Sequence, residues 1–264
     1  MAEQDYRHGP PLVLALDTSS RLTSIALSRG ASVIGSIEIE SDDRRSEKLW
    51  VNIESLLAGS GVGINDVGLF GVCVGPGGFT GLRVGMSAIK GLASATGKPV
   101  IGVTSLEAAA AQAEPGSVVC ALVNAYKGEV YSQLFEIGRG GSPVALDAPL
   151  VSTLTQALER LSDRRSVIFT GNAALESAEL IKQAGAQMSR PGASGKEEEG
   201  GWVVKSGNQS LASSIARLSY LKFTRGESES VEGLRAYYIR PAEAEVKLSM
   251  GLLGSKIKRS LKSG

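Results

Sequence analysis

The sequence predicts an α/β protein made of two copies of one βββαβαβα module, the second copy degenerate, and three observations carry that expectation. The apolar run LVLALD (residues 12–17) is followed by two stretches that alternate apolar and polar residues, as a buried strand with a meander beside it would. Apolar residues then recur at spacings of three and four, and helical and strand-like segments alternate from there on. Finally, VVCALVNAYKGEVYSQLFEI, from Val118, repeats the pattern of LVLALDTSSRLTSIAL with a different turn.

Taken in order, Leu12–Asp17 is the first strand, and Leu22–Leu27 and Ser32–Ile39 follow as alternating strands across an Arg29-Gly30 turn. Leu49, Trp50, Ile53, Leu56 and Leu57 have helical spacing, and Gly59 and Gly61 end that helix. Val67–Val74 reads as a buried strand, and Leu82–Thr96 as a helix stopped by Gly97 and Pro99. After a short strand at Val100–Val103, Thr104 and Glu107 have the spacing of a capping box opening a third helix. The second module starts beyond Glu114–Gly116. It runs through strands from Val118 and at Ser142–Leu150, a helix at Thr153–Leu161 and a strand at Val167–Thr170. Its signal fades after about residue 186. Residues 189–209 read as an exposed, Gly- and charge-rich insertion around Trp202, and Leu211–Phe223 as a closing helix. The division expected is a disordered tail at 1–11, lobes at 12–114 and 115–245, and a basic tail at 246–264.

Composition narrows the chemistry. A net charge of +1 over 264 residues supplies no overall field for nucleic acid or an anionic membrane. No segment has the length or apolarity of a membrane span, and the polar N-terminus lacks a signal-peptide core. Both cysteines, Cys73 and Cys120, lie in strand-like apolar runs, which suits buried free thiols in a reducing cytoplasm. The only histidine, His8, sits in the N-terminal tail, so a Ser-His or Cys-His hydrolase or a histidine-bound zinc is not expected.

The densest stretch is VCVGPGGFTGLRVGMSAIKGLASATGKPV (residues 72–100). GPGGFTG lacks the lysine of a Walker loop, and a three-strand meander precedes it instead of a Rossmann crossover. Two readings stay open: a structural turn, or an anion site at a helix N-terminus. In the helix itself the polar residues Arg83, Ser87, Lys90 and Ser94 form one narrow stripe, while Gly85 and Gly91 each weaken it by about 1 kcal/mol relative to alanine. Such a helix calls for a close neighbour, either this chain's own sheet and sister helix or a second protein, and the extra apolar Trp50 favours the second protein.

LVLALDTSSRLTSIAL, GPGGFTGLRVGMSAIKGLASATGKPVIGVTSLEA and NAYKGEVYSQLFE resemble the TsaB (YeaZ) family, and LRAYYIRPAEAEVK, with Tyr238, Arg240 and Pro241, is similar to its closing motif. The resemblance covers residues 12–137 and 230–246. It implies a two-lobed actin/Hsp70/sugar-kinase-like (ASKHA) fold. It also implies a non-catalytic accessory subunit for threonylcarbamoylation of the adenosine beside the anticodon in tRNAs reading codons that start with A. The implied partners are the catalytic subunit TsaD and the ATPase TsaE, with a homodimer formed when TsaD is absent and tRNA contacted only indirectly. TsaD-like enzymes carry a metal-binding H-x-x-x-H on the first helix, where this chain has DDRRSEK (residues 42–48). No metal and no catalytic residue is therefore expected, and ATP with magnesium is left to the assembled complex.

By the same resemblance, the partner surface comprises Leu49, Trp50 and Ile53 of the first helix with Leu82, Arg83, Gly85, Met86, Ala88, Ile89, Lys90, Leu92 and Ala93 of the second. The candidate nucleotide or anion residues are Asp17, Thr18, Ser19, Gly77, Gly78 and Thr80. Asp17 is either a magnesium-side carboxylate or the cap of its own turn. The competing reading is a stand-alone ASKHA-type ATPase or phosphotransferase using Asp17 and the GPGGFTG loop.

Overall fold

The computed structural model describes residues 9–40, 45–188, 201–205 and 210–240. The expectations for residues 1–8, for DDR at 42–44 and for the basic tail lie outside the described residues, as does most of the expected insertion.

Two mixed sheets share one topology. In the first, β1 (Leu12–Asp17) is flanked on one side by antiparallel β2 (Leu22–Arg29) and β3 (Ser32–Glu40). On its other side lie parallel β4 (Val67–Gly75) and β5 (Val100–Thr104), giving the order β3-β2-β1-β4-β5. In the second, β6 (Val118–Asn124) takes the place of β1 and β7 (Val130–Ile137) the place of β2. The short strands β8 (Pro143–Ala145) and β9 (Leu150–Ser152) both pair with β7 where a single third strand was expected. The repeat is real, and the fold is the two-lobed ASKHA one.

Helices complete each layer. Helices α1 (Arg45–Gly59), α2 (Phe79–Thr96) and α3 (Ser105–Ala110) belong to the first module; α4 (Leu154–Glu159), α5 (Asn172–Glu176), α6 (Ala178–Met188) and α7 (Ala212–Thr224) belong to the second. The Thr104 hydroxyl accepts from the Glu107 N–H while Glu107 accepts from the Thr104 N–H, the reciprocal cap that the spacing predicts. All six residues of β1 are buried because it is the central strand of its mixed sheet and helices α7 and α2 both pack on it.

Two features depart from the linear reading. Each module's closing helix crosses to the other sheet: α3 packs on β6 and β7, and α7 on β1, β2 and β4. The shared core joins Val13, Ala15 and Cys73 to Val119, Ala121 and Ile215, so α7, which follows the second sheet in the chain, packs on the first. Also, residues 202–204 are no exposed excursion. They form β11 (Trp202–Val204), parallel to β10 (Val167–Thr170) and the counterpart of β5. Trp202 is buried against Phe169 with ring centroids 5.1 Å apart, and its indole N–H donates to the Arg164 carbonyl. A three-residue strand among glycines is too short to show a periodicity.

Cys73 and Cys120 are both free and buried. Burial, then the Asp17 charge, pushes the Cys73 thiol well above its ordinary value; burial chiefly pushes Cys120 up to about 12. Neither is a thiolate near neutrality. A small aromatic disulfide reagent at pH 8 should therefore titrate no described cysteine in the native protein and two per chain in denaturant, read at the reagent's absorbance band. Rapid native labelling of either would contradict the burial.

Candidate functional site: the groove between the first two helices

The glycine-rich loop has an internal occupant. Asp17 Oδ1 accepts from the Ser19 N–H at 2.9 Å, capping its own turn, and Asp17, Thr18 and Ser19 are all buried. The loop between β4 and α2 lies flush on that turn: the Gly78 N–H donates to the Ser19 carbonyl at 2.7 Å, and a Cβ on Gly77 would stand 2.6 Å from the same oxygen. The glycines at 77 and 78 let two backbones of this chain meet, and the Gly78 amide that an anion would need is spent on Ser19. Thr80, by contrast, is exposed.

Gly85 has the same explanation. A Cβ there would clash with Thr18 Oγ1 and lie 3.3 Å from both Thr18 Cβ and Cγ2, while the Thr18 hydroxyl donates to the Gly81 carbonyl at 2.7 Å. The expectation that Gly85 makes room for a foreign subunit is corrected: the close neighbour is this chain's own β1–β2 turn. Leu82, Met86, Ile89 and Ala93 likewise face inward, as do Leu49 and Ile53 of α1, so these side chains shape the surface from beneath without being presented on it.

What remains outside forms a groove. Leu49, Trp50, Phe79, Thr80, Arg83, Val84, Ser87 and Ala88 line an open depression of about 560 Å³ between α1 and α2. Its floor is apolar, from Leu49 and Ala88, both nearly fully buried, and one rim is Trp50, 47% exposed, with Val51 beside it at 63%. The Arg83 guanidinium lies 3.8 Å from the centre of the Phe79 ring at the groove's end. Lys90 and Leu92 are partly exposed further along α2, and Gly91 has open space where its side chain would be. The helix supplies no acidic residue, so this face carries only positive charge from α2. Among the described residues the main packing of α2 is on β4, β1 and β5 of its own sheet.

The cleft between the lobes is different. Ser19, Ser20, Val123, Gly171, Asn172 and Leu211 line a space of about 20 Å³ there. That holds about one water, whereas ligand pockets run to about 300 Å³ or more. Among the described residues no cluster of three His, Cys, Asp or Glu side chains is placed to hold a metal, and no helix is long and apolar enough to cross a membrane.

Comparison with known proteins fits this architecture. The family model described as TsaD, tRNA N6-adenosine threonylcarbamoyltransferase, matches residues 38–181, more than half of the chain. The tRNA threonylcarbamoyladenosine biosynthesis protein TsaB of Bacillus subtilis (strain 168) is 29% identical over 239 residues, spanning 89% of this chain and 96% of that protein. The chain belongs to the TsaB (YeaZ) family. The TsaB of Escherichia coli (strain K12) is 26% identical over 246 residues, 89% of this chain and 97% of its own. In three dimensions, YeaZ from Pseudomonas aeruginosa superposes with a TM-score of 0.65 at 23% identity, covering 86% of this chain and all of that one. A second Pseudomonas aeruginosa structure, an uncharacterized protein with similarity to peptidase YEAZ, gives a TM-score of 0.68 with 87% of this chain covered. TsaB relatives thus span both lobes.

Sequence reasoning missed one part of this TsaB site. Residues 229–240 form a strap across the ends of β4 and β5: the Glu229 N–H donates to the Val100 carbonyl, Leu234 is wholly buried, and the Tyr237 N–H donates to the Val74 carbonyl at 2.7 Å. Tyr238 stacks on Phe79 at 5.5 Å, and Arg240 meets Glu129 with both guanidinium nitrogens at 2.6 and 3.0 Å. Arg240 holds the Glu129 carboxyl below the usual carboxylate range. The LRAYYIRP motif marked the segment; its long-range pairing had no local signal.

Proposed function

We propose that this chain is the accessory, non-catalytic subunit of a tRNA threonylcarbamoyladenosine-forming assembly, and that the α1–α2 groove seats the TsaD-like catalytic subunit. The observation that carries the reading is the contrast between two sites: an open apolar groove of about 560 Å³ at the surface, and a space of about 20 Å³ lined by Ser19, Val123 and Asn172 between the lobes. A half-exposed tryptophan above an apolar floor is the composition that protein interfaces favour. The tRNA threonylcarbamoyladenosine biosynthesis role of its TsaB relatives supplies the pathway. Under this reading a TsaE-like ATPase joins the complex, the chain self-associates through the same groove when alone, and tRNA is met through the partner. Cytoplasmic residence accords with two buried free thiols. The test is co-purification with the catalytic partner, followed by a tRNA modification assay with and without this chain. Complex formation and chain-dependent modification are expected; modification at full rate by the partner alone would overturn the reading.

The ATPase reading fares worse on fit. Asp17 caps its own turn, the glycine loop is packed on Ser19, and the space that Ser19, Val123 and Asn172 line between the lobes is about 20 Å³, where a ligand pocket takes about 300 Å³ or more. Calorimetry of the purified chain with magnesium and ATP should register no binding tighter than about 1 mM. Micromolar binding lost on Asp17→Ala would restore the ATPase.

A further inference from the structure

The groove and the interlobe region are joined by one continuous run of contacts. Arg83, on the groove, lies over Phe79; Phe79 carries Tyr238; and Tyr238 and Ile239 pack on the core shared by both lobes. Two residues on, Arg240 grips Glu129 at the start of β7, beside the turn that Tyr126 and Lys127 make between β6 and β7. Lys127 adopts the left-handed conformation there (φ 65°), a position that non-glycine residues occupy at a cost. The same strap is bound to the first lobe by the Glu229, Leu234 and Tyr237 contacts, so it is attached at both ends and touches the groove in the middle.

We infer that residues 229–240 act as a latch that couples partner seating in the α1–α2 groove to the β6–β7 turn of the second lobe. The inference rests on the groove being the partner's seat. A partner that packs against Phe79 and Arg83 changes the support under Tyr238, and the strap transmits this to Arg240 and hence to Glu129. The first-lobe end, with a buried leucine and two backbone hydrogen bonds, is the fixed end. The second-lobe end is a partly exposed ion pair, a weaker attachment than the buried leucine and backbone hydrogen bonds at the other end. Coupling of this kind is reciprocal: whatever loosens the Arg240–Glu129 end must also change affinity at the groove. The device places control of lobe order within reach of the partner without any ligand in the cleft.

The turn provides a local reporter, because the Ala125 N–H donates to the Glu129 carbonyl at 2.9 Å. Hydrogen exchange of the Ala125 amide is measured on the full chain with and without saturating TsaD-like subunit, alongside calorimetric affinity. In the wild type the partner should slow that exchange about five-fold. Arg240→Ala should abolish the slowing and weaken partner binding by about five-fold. Glu129→Arg combined with Arg240→Glu should restore both, which a generally damaged fold would not. Partner binding with unchanged Ala125 exchange, or slowing that persists in Arg240→Ala, would overturn the latch while leaving the groove reading intact. A wild type that fails to bind the partner at all would overturn the groove reading and the latch with it.

Discussion

Gly85→Leu should lower the melting temperature by about 6–12 °C, whether or not any partner is present. The leucine Cβ would meet the Thr18 hydroxyl, and rotating Thr18 away helps little because its Cβ and Cγ2 are each 3.3 Å from the same point. Overpacking costs about 1–3 kcal/mol. Breaking the buried bond from Thr18 to the Gly81 carbonyl strands both groups, for about 1–3 kcal/mol more. Better helix propensity returns about 0.8 kcal/mol, leaving a net loss of about 3 kcal/mol. Gly91→Leu is the control: nothing lies within 4 Å of its missing side chain, so only the propensity gain remains and stability should hold or rise. Thermal unfolding followed by circular dichroism distinguishes the two. A Gly85→Leu protein that melts with the wild type would show the Thr18 contact to be dispensable.

Trp50→Ala should do the opposite, weakening association with the TsaD-like subunit by at least about 30-fold while moving the melting temperature by no more than about 3 °C. Half of this indole is already in water, so its loss removes little of the chain's own packing. Beneath it, Leu49 and Ala88 offer an apolar floor that a partner side chain would cover, and a desolvated tryptophan at such a place dominates interface energetics. Ser87→Arg tests the cavity itself: Ser87 is exposed on the groove wall, and an arginine there fills the depression without entering the core. Wild-type partner affinity in both variants, measured by calorimetry, would move the docking surface elsewhere.

Much of the candidate site was legible before any fold. Helical spacing marked the apolar stripe of α1, and Trp50 stood out as one apolar residue too many for that stripe. Gly85 of α2 announced a close neighbour correctly, and Gly91 did not. Which neighbour could not be read. Gly85 and Gly91 are both helical glycines six residues apart, yet one faces Thr18 and the other faces water. The difference is made by where the β1–β2 turn ends up, 67 positions earlier in the chain for Thr18. Likewise the glycine loop suited an anion as well as a turn until the Ser19 carbonyl was seen to hold the Gly78 amide.

Local pattern determined the strands and helices of the first module, the Thr104 cap, and β6, β7, α4, β10 and α7 of the second, because period, capping and turn chemistry act over a few residues. Three things waited for tertiary structure: the exchange of α3 and α7 between sheets, the burial of Trp202 in an edge strand, and the strap that joins Phe79 to Glu129. Each depends on contacts between segments far apart in sequence, and such contacts leave no period for a local reading to detect. The residues said that something must lie against the second helix; only the folded chain decided that its inner side meets Thr18 and its outer side opens as a groove.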